Sequence, residues 1–294
     1  MAEFSHLPVM PEETLFWLAP AAGETFVDCT LGLAGHSRLI APLLGAEGRL
    51  IGLDRDAAAL EIARRNLADA PCPVTLLHTP FSEISPALAG IGVKRVDRIL
   101  LDIGVSSMQF DDPERGFSFR FDSALDMRMD TRAPRTAADI VNTCPETELA
   151  DIFYRYGEER HSRPIAKRLV EIRARQPFRT TGELAAAVES VLPRHGKIHP
   201  ATKVFQALRI AVNDELGELE RVLPAAFSLL RPGGRLALIT FHSLEDRLAK
   251  NYFHGLADQK IAVLPHRKVI MPKYAETRVN RRARSAKLRI LEKL

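Results

Sequence analysis

Apolar positions alternate between two periods along this chain. Short β-branched and Leu-rich runs come first, each followed by a segment of helical spacing. Thr25–Asp28, Arg49–Asp54, Pro73–Leu77 and Val96–Ile103 read as strands, and Ser37–Leu44 and Ala57–Leu67 as helices. Strands alternating with helices of this length predict βαβ units and a parallel sheet. The alternation stops at a charged, Phe-bearing stretch over 111–135. From about 136 to 220 the period is helical. Leu149, Ile152/Phe153 and Tyr156 mark one helix, and Ile165, Leu169 and Ile172 a second. Thr180-Thr-Gly-Glu183 is a capping box opening a third, and Val204 to Leu216 a fourth. The strand signal returns after the Pro-Gly-Gly turn at 232–234 and runs to Phe241. A helix over Ser243–Phe253 follows, then two short closing strands at Ile261–Leu264 and Ala286–Leu291.

The expectation is an α/β fold interrupted by a helical insertion. The predicted parts are a first α/β segment over 1–112, an insertion over 113–218 and a second α/β segment over 219–294. Composition agrees with a globular chain, with 46% hydrophobic and 27% charged residues. No run approaches the length of a membrane helix, and residues 1–20 lack a secretory pattern. Cys29, Cys72 and Cys144 stand outside any CxxC or Cys/His ligand spacing, so neither a disulfide framework nor a metal site is expected, and cytoplasmic residence is the default.

Charge changes the picture more. Residues 266–294 hold ten Lys/Arg and two acids, whereas the rest of the chain is net negative. A local cationic segment is a footprint for polyanions, nucleic acid first among them, or else a solvated tail.

The candidate chemistry lies where strands end. Asp28-Cys-Thr-Leu-Gly32-Leu-Ala34-Gly35-His36-Ser37 joins the first strand to its helix, and in doubly wound folds ligands sit at the carboxyl ends of strands. Gly32 and Gly35 permit close backbone approach. Asp54, ending the second strand, suits the ribose hydroxyls of an adenosine, or a turn or cap. Asp28 suits the ammonium group of an amino-acid-like ligand through water, or a structural role bonded to loop amides. Phe81 suits an adenine face or core packing. Asp102 and Gln109 place polar groups at the mouth of the sheet, and Gly104 lets the chain pass close to a ligand. The loop is neither G-x-G-x-x-G nor a P-loop. That favours S-adenosylmethionine over NAD, and no G-x-S-x-G elbow points to a hydrolase.

These stretches resemble the bacterial ribosomal RNA small subunit methyltransferase H family. The resemblance rests on Asp28-x-Thr-x-Gly-x-x-Gly-His-Ser37, Asp102-x-Gly-Val-Ser-Ser-x-Gln109, Glu114-Arg-Gly-Phe-Ser-Phe119 and Leu125-Asp-Met-Arg-Met-Asp130. It continues through Tyr156-Gly-Glu-Glu-Arg160, His199-Pro-Ala-Thr202, Phe205-Gln-Ala-Leu-Arg-Ile210, Phe241-His-Ser-Leu-Glu-Asp-Arg247 and Arg282-Ala-Arg-Ser285. It implies a class I (Rossmann-like) S-adenosylmethionine-dependent methyltransferase whose inserted helical domain recognises substrate. The implied reaction is N4-methylation of a cytidine in the decoding region of 16S rRNA, within the small ribosomal subunit. The implied cofactor contacts are Ala34, Gly35, His36, Asp54, Phe81, Asp102 and Gln109. Ala34 departs from the usual Gly-Gly-His, but a backbone contact survives an alanine.

An exocyclic amine of cytosine is a poor nucleophile, so alignment and a nearby acceptor matter most. Many amino-methyltransferases carry Asp/Asn-Pro-Pro-aromatic here, and this chain has Asp102-Ile-Gly-Val. Asp102 is the expected polar group nearest the chemistry. His242, Ser243 and Asn213 are weaker candidates. Phe117, Phe119 and Phe121 are candidates for base stacking or for pinning the loop to the insertion, and Arg115 and Arg120 for phosphate contact. Arg281, Arg282 and Arg284 in the basic segment are the stronger phosphate candidates. A non-catalytic RNA-binding assembly factor and a small-molecule methyltransferase are the rival readings. Monomer and homodimer both remain open.

Overall fold

The computed structural model describes residues 7–104, 112–194, 196 and 199–294. The chain divides into two compact units, Met1–Gly104 with Leu216–Leu294, and Val105–Glu215.

The first unit is built on a seven-stranded sheet ordered β3-β2-β1-β4-β5-β7-β6. Its strands are β1 (Thr25–Asp28), β2 (Arg49–Asp54), β3 (Val74–His78), β4 (Val96–Asp102), β5 (Leu230–Thr240), β6 (Ala262–Val263) and β7 (Lys287–Lys293). β1 to β5 pair in parallel, whereas β7 runs antiparallel to β5 and β6 to β7. The closing strands therefore make the sheet mixed, not parallel throughout. Near the start of β5 the register shifts: Val96 pairs with Leu230 and Arg98 with Arg235, which leaves the Pro-Gly-Gly turn outside the ladder. Both faces of the sheet are covered. Val27, Ile51, Ile99, Leu101, Leu236 and Leu238 enter one core, and Phe26, Leu50, Leu100, Ala237 and Ile239 the other. Burial on both faces is why these strands read as apolar runs without alternation.

The connecting helices are α1 (Pro11–Leu18), α2 (Gly35–Leu44), α3 (Ala57–Asn66) and α4 (Ile84–Gly90). Sequence spacing identified α2 and α3 but not α1 or α4, which are short. The second unit holds α5 (Ala137–Thr143), α6 (Glu146–Gly157), α7 (Ser162–Arg173), α8 (Thr181–Glu189) and α9 (Thr202–Asn213). The expected capping box opens α8: Thr180 accepts the Glu183 amide and Glu183 accepts the Thr180 amide. α9 ends earlier than its spacing suggests. Asp214 takes a left-handed conformation (φ 48°, ψ 39°), and Leu216 belongs to the next helix, α10 (Glu215–Leu229). α11 (Ser243–Asp258) and α12 (Tyr274–Val279) complete the chain. Among the described residues no helix is long and apolar enough to cross a membrane.

Candidate active site

Three carboxylates end adjacent parallel strands on one edge: Asp28 on β1, Asp54 on β2 and Asp102 on β4. The loop from β1 into α2 is wired to its neighbours. The Leu31 amide donates to the Leu53 carbonyl at 3.0 Å and the Gly32 amide to Asp54 Oδ2 at 2.7 Å. The Asp102 amide donates to Thr30 Oγ at 2.6 Å. One loop thus fixes the ends of β2 and β4 together.

Gly32 and Ala34 both adopt positive φ, 51° and 66°. The left-handed state disfavours alanine by about 1–2 kcal/mol. Burial of the Ala34 methyl, fully enclosed, returns about 0.8 kcal/mol, and a glycine would lose about 0.4–1 kcal/mol through its freer unfolded chain. The opposing effects nearly cancel. Ala34→Gly is expected to change the unfolding free energy by less than about 1 kcal/mol, as measured by urea denaturation. Ala34 also offers no side-chain cap to α2, so the first amides of that helix are open to a ligand carboxylate.

Asp28 is buried, accepting from Thr30 N at 3.2 Å and from Ser37 Oγ at 2.8 Å. Each of its oxygens thus accepts one bond from the loop and helix start that it anchors. Burial pushes its carboxyl up, with His36 and the Ser37 hydroxyl opposing. Asp54 is partly accessible and accepts a second amide, from Asp56, at 2.9 Å. The cap of α3 is Asp56, whose carboxylate accepts the Ala58 amide. Burial pushes the Asp54 carboxyl up to about 6, against the pull of those amides. The charged form accepts ribose hydroxyls best, so cofactor affinity is expected to fall about 10-fold from pH 7 to pH 5. Calorimetric titration in that window checks this, with Asp54→Asn as the variant that should bind weakly and without the pH slope.

Asp102 Oδ2 lies 3.5 Å from His36 Nε2, both side chains being largely enclosed. Among the described residues, Asp102 Oδ1 and His36 Nε2 are buried with no hydrogen-bond partner. Phe81 is buried in the core beside Ile84 and Leu88, with the Arg55 guanidinium 5.4 Å above its ring. Gly104 lies against an aromatic ring. A Cβ there would meet the Phe241 ring at 3.1 Å, so the glycine accommodates that aromatic. Gln109 and the Val-Ser-Ser run before it lie outside the described residues.

Other candidates have structural occupations. His242 caps α11: its Nδ1 accepts the Glu245 amide, and Glu245 accepts the Phe241 and His242 amides. Its other ring nitrogen, Nε2, is buried 2.9 Å from Glu245 Oε1. Asn213 holds the 127–129 loop, accepting Met129 N at 2.7 Å and donating to the Met127 carbonyl at 2.8 Å. Phe117 is buried in the core of the helical unit. Phe119 packs on Phe205 and His199, and of the three only Phe121 is exposed. The Arg115 guanidinium donates to the Arg128 and Met129 carbonyls at 3.0 Å, so it pins its own loop. Arg120 is exposed.

The basic C-terminal segment is not a loose tail. Lys287 and Arg289 pair with Asp246, Lys293 donates to the Phe227 and Leu230 carbonyls, and Lys273 pairs with Glu12. Arg281, Arg282 and Arg284 sit on a short helical turn anchored by buried Ala283, with Arg281 and Arg284 exposed.

The profile of the MraW methylase family matches residues 3–294. The chain belongs to that family. It is 49% identical over 99% of its length to a ribosomal RNA small subunit methyltransferase H from Geobacter sulfurreducens, of which 99% is covered. It is 47% identical to the protein of the same description from Syntrophotalea carbinolica, over 99% of this chain and 98% of that one. A solved rRNA methylase from Streptococcus thermophilus aligns over 96% of this chain and 95% of that one, at 12% identity and a TM-score of 0.46, too distant to bear on function. The fold is that of a class I methyltransferase, and the cofactor of the family is S-adenosylmethionine.

The residues present fit that cofactor. It is cationic at sulfur and at its ammonium group, and this edge supplies carboxylates, one with an unpartnered buried oxygen. Its ribose needs an acceptor, and Asp54 is partly accessible.

Proposed function

We propose that this protein methylates the exocyclic N4 of a cytidine in the decoding region of 16S rRNA, acting in the cytoplasm on the small ribosomal subunit. The observation that carries the reading is Asp102, held at a strand end in a family of methylases with one buried oxygen lacking a partner. Asp54 would hold the ribose, Phe81 would flank the adenine side, and the opening amides of α2 would receive the carboxylate. When bound, S-adenosylmethionine supplies an electrophilic methyl group. Asp102 then serves as acceptor for the cytidine amino group, orienting its lone pair, while His36 keeps the carboxylate in place. The amine needs no strong base, because its proton becomes acidic only after the nitrogen is alkylated. The base must leave its stack to reach the strand edge, and the helical unit would recognise the surrounding RNA.

The rival of a non-catalytic assembly factor would tolerate loss of Asp54 or the loop, yet both are intact and bonded to each other. The test is transfer of labelled methyl from S-adenosylmethionine to small subunits lacking the modification, read by nucleoside mass spectrometry. Labelled N4-methylcytidine at one decoding-region position is the expected result. Cofactor binding without transfer would overturn it.

A further inference from the structure

The helical unit has as many acids as bases, 17 of each over residues 105–215. Its positive charge is nonetheless concentrated. Residues 160–179 hold seven Lys/Arg and one Glu. α7 explains how they are displayed. Ser162, Ile165, Ala166 and Leu169 turn inward, which leaves Arg163, Lys167 and Arg168 on the outer face. Arg160 before the helix and Arg175 and Arg179 after it are exposed too.

Pairing separates this group from other arginines of the unit. Arg128 is paired with Asp126, Arg132 with Asp130, Arg155 with Asp151 and Arg209 with Glu215. Among the described residues Arg160, Arg163, Lys167, Arg175 and Arg179 have no ion-pair partner. Arg168 reaches Glu171 only at 3.5 Å. Adjacent like charges on a helix repel, so folding alone gives no reason to gather them.

A hollow of about 310 Å³ opens beside this face between α7 and α8. Ile172, Pro177, Phe178 and Ala187 give it a largely apolar lining, to which Arg168 and Glu183 add one charge of each sign. Its size is at the lower end of the range for ligand pockets, roughly 300–1,000 Å³.

We infer that the outer face of α7 and the α7–α8 hollow form a docking surface for a single-stranded RNA segment, with the cations on phosphates and one unstacked base in the hollow. Unpaired cations beside an apolar recess are the two elements that single-stranded RNA recognition requires. An acidic protein surface would use the charges but not the recess. The inference rests on the RNA substrate proposed above and adds a contact surface to it.

The test uses the full-length enzyme with unmodified small ribosomal subunits and, separately, a single-stranded rRNA oligonucleotide. Two variants are compared with wild type: Arg163→Gln/Lys167→Gln/Arg175→Gln, and Ala186→Trp, which fills the hollow from an exposed position. The triple variant should raise KM for the subunit at least 10-fold with kcat within two-fold. It should also flatten the slope of log affinity against log salt by about 2–3. Ala186→Trp should weaken oligonucleotide binding about 5-fold or more without changing the salt slope. S-adenosylmethionine affinity and melting temperature, expected to be unchanged in both, report folding. Unchanged KM and salt slope in a folded triple variant would overturn the inference. So would weakened subunit binding with intact oligonucleotide binding, which would mean an acidic ribosomal protein. If wild type binds RNA but transfers no methyl, the proposed reaction fails while the surface is still judged by the binding arms.

Discussion

Asp102→Asn is expected to lower methyl transfer at least 100-fold while leaving the protein folded. The Asp102 backbone is held by two independent contacts: its place in the β4 ladder opposite Ile239, and its amide bond to Thr30 Oγ at 2.6 Å. Neither involves the carboxylate, so asparagine keeps the position. The carboxylate is another matter. One oxygen faces His36 Nε2 at 3.5 Å and the other is buried with no partner among the described residues. An unsatisfied buried acceptor costs about 1–3 kcal/mol, a burden that a ligand donor relieves. Asparagine removes the charge and turns one acceptor into a donor. A 100-fold loss corresponds to about 2.7 kcal/mol, the scale of a charge-assisted hydrogen bond. Labelled transfer at saturating cofactor measures the loss, and calorimetry measures how much of it is binding. The melting temperature without cofactor should be equal or higher, because the variant loses a buried charge. A variant retaining a tenth of the activity or more would make Asp102 a structural acid.

The strand ends that carry Asp28, Asp54 and Asp102 are legible because a buried strand is an apolar run and the first charge after it marks its exit. The roles of those acids are less legible. Whether an acid serves its own loop or a ligand depends on partners distant in sequence, as with Thr30 for Asp102 and Gly32 for Asp54. The hydrogen-bonding roles of His242 and Asn213 are hidden in the sequence for the same reason. Their partners are amides and carbonyls that only the folded chain brings near. The crowding of Gly104 by Phe241, well over a hundred residues later, has no local signal either. Three alternating phenylalanines at 117, 119 and 121 gave no sidedness, because alternation assigns faces only in an extended strand. The end of α9 was readable in principle. The Asn213-Asp214 pair is a left-handed signal that the apolar spacing through Leu216 concealed. The antiparallel run of β7 has no counterpart in hydrophobic pattern at all.

The motif around Glu114-Arg-Gly-Phe-Ser-Phe119 has a physical content unrelated to chemistry, and Gly116→Ala exposes it. Gly116 has φ 71°, and a Cβ there would lie 2.3 Å from the Ala124 carbonyl oxygen and 2.9 Å from the Asp126 amide nitrogen. Both neighbours are backbone, so no side chain can swing away. The surrounding loop is also tied down: the Met127 amide donates to the Arg115 carbonyl and the Leu125 amide to the Arg179 carbonyl, each at 3.0 Å. Leu125 and Met127 are buried in the core of the helical unit together with Phe117. Relieving the clash would pull that core apart. Left-handed strain contributes about 1–2 kcal/mol and overpacking about 1–3 kcal/mol. The expected loss is about 2–5 kcal/mol, a large share of the stability of an ordinary domain. Urea denaturation followed by far-ultraviolet circular dichroism measures it. Cofactor affinity of the remaining folded fraction should be near wild type, since Asp54 and the β1–α2 loop lie in the other unit. A loss below about 1 kcal/mol would mean that the loop moves freely, and that the glycine answers to something other than the crowding around it.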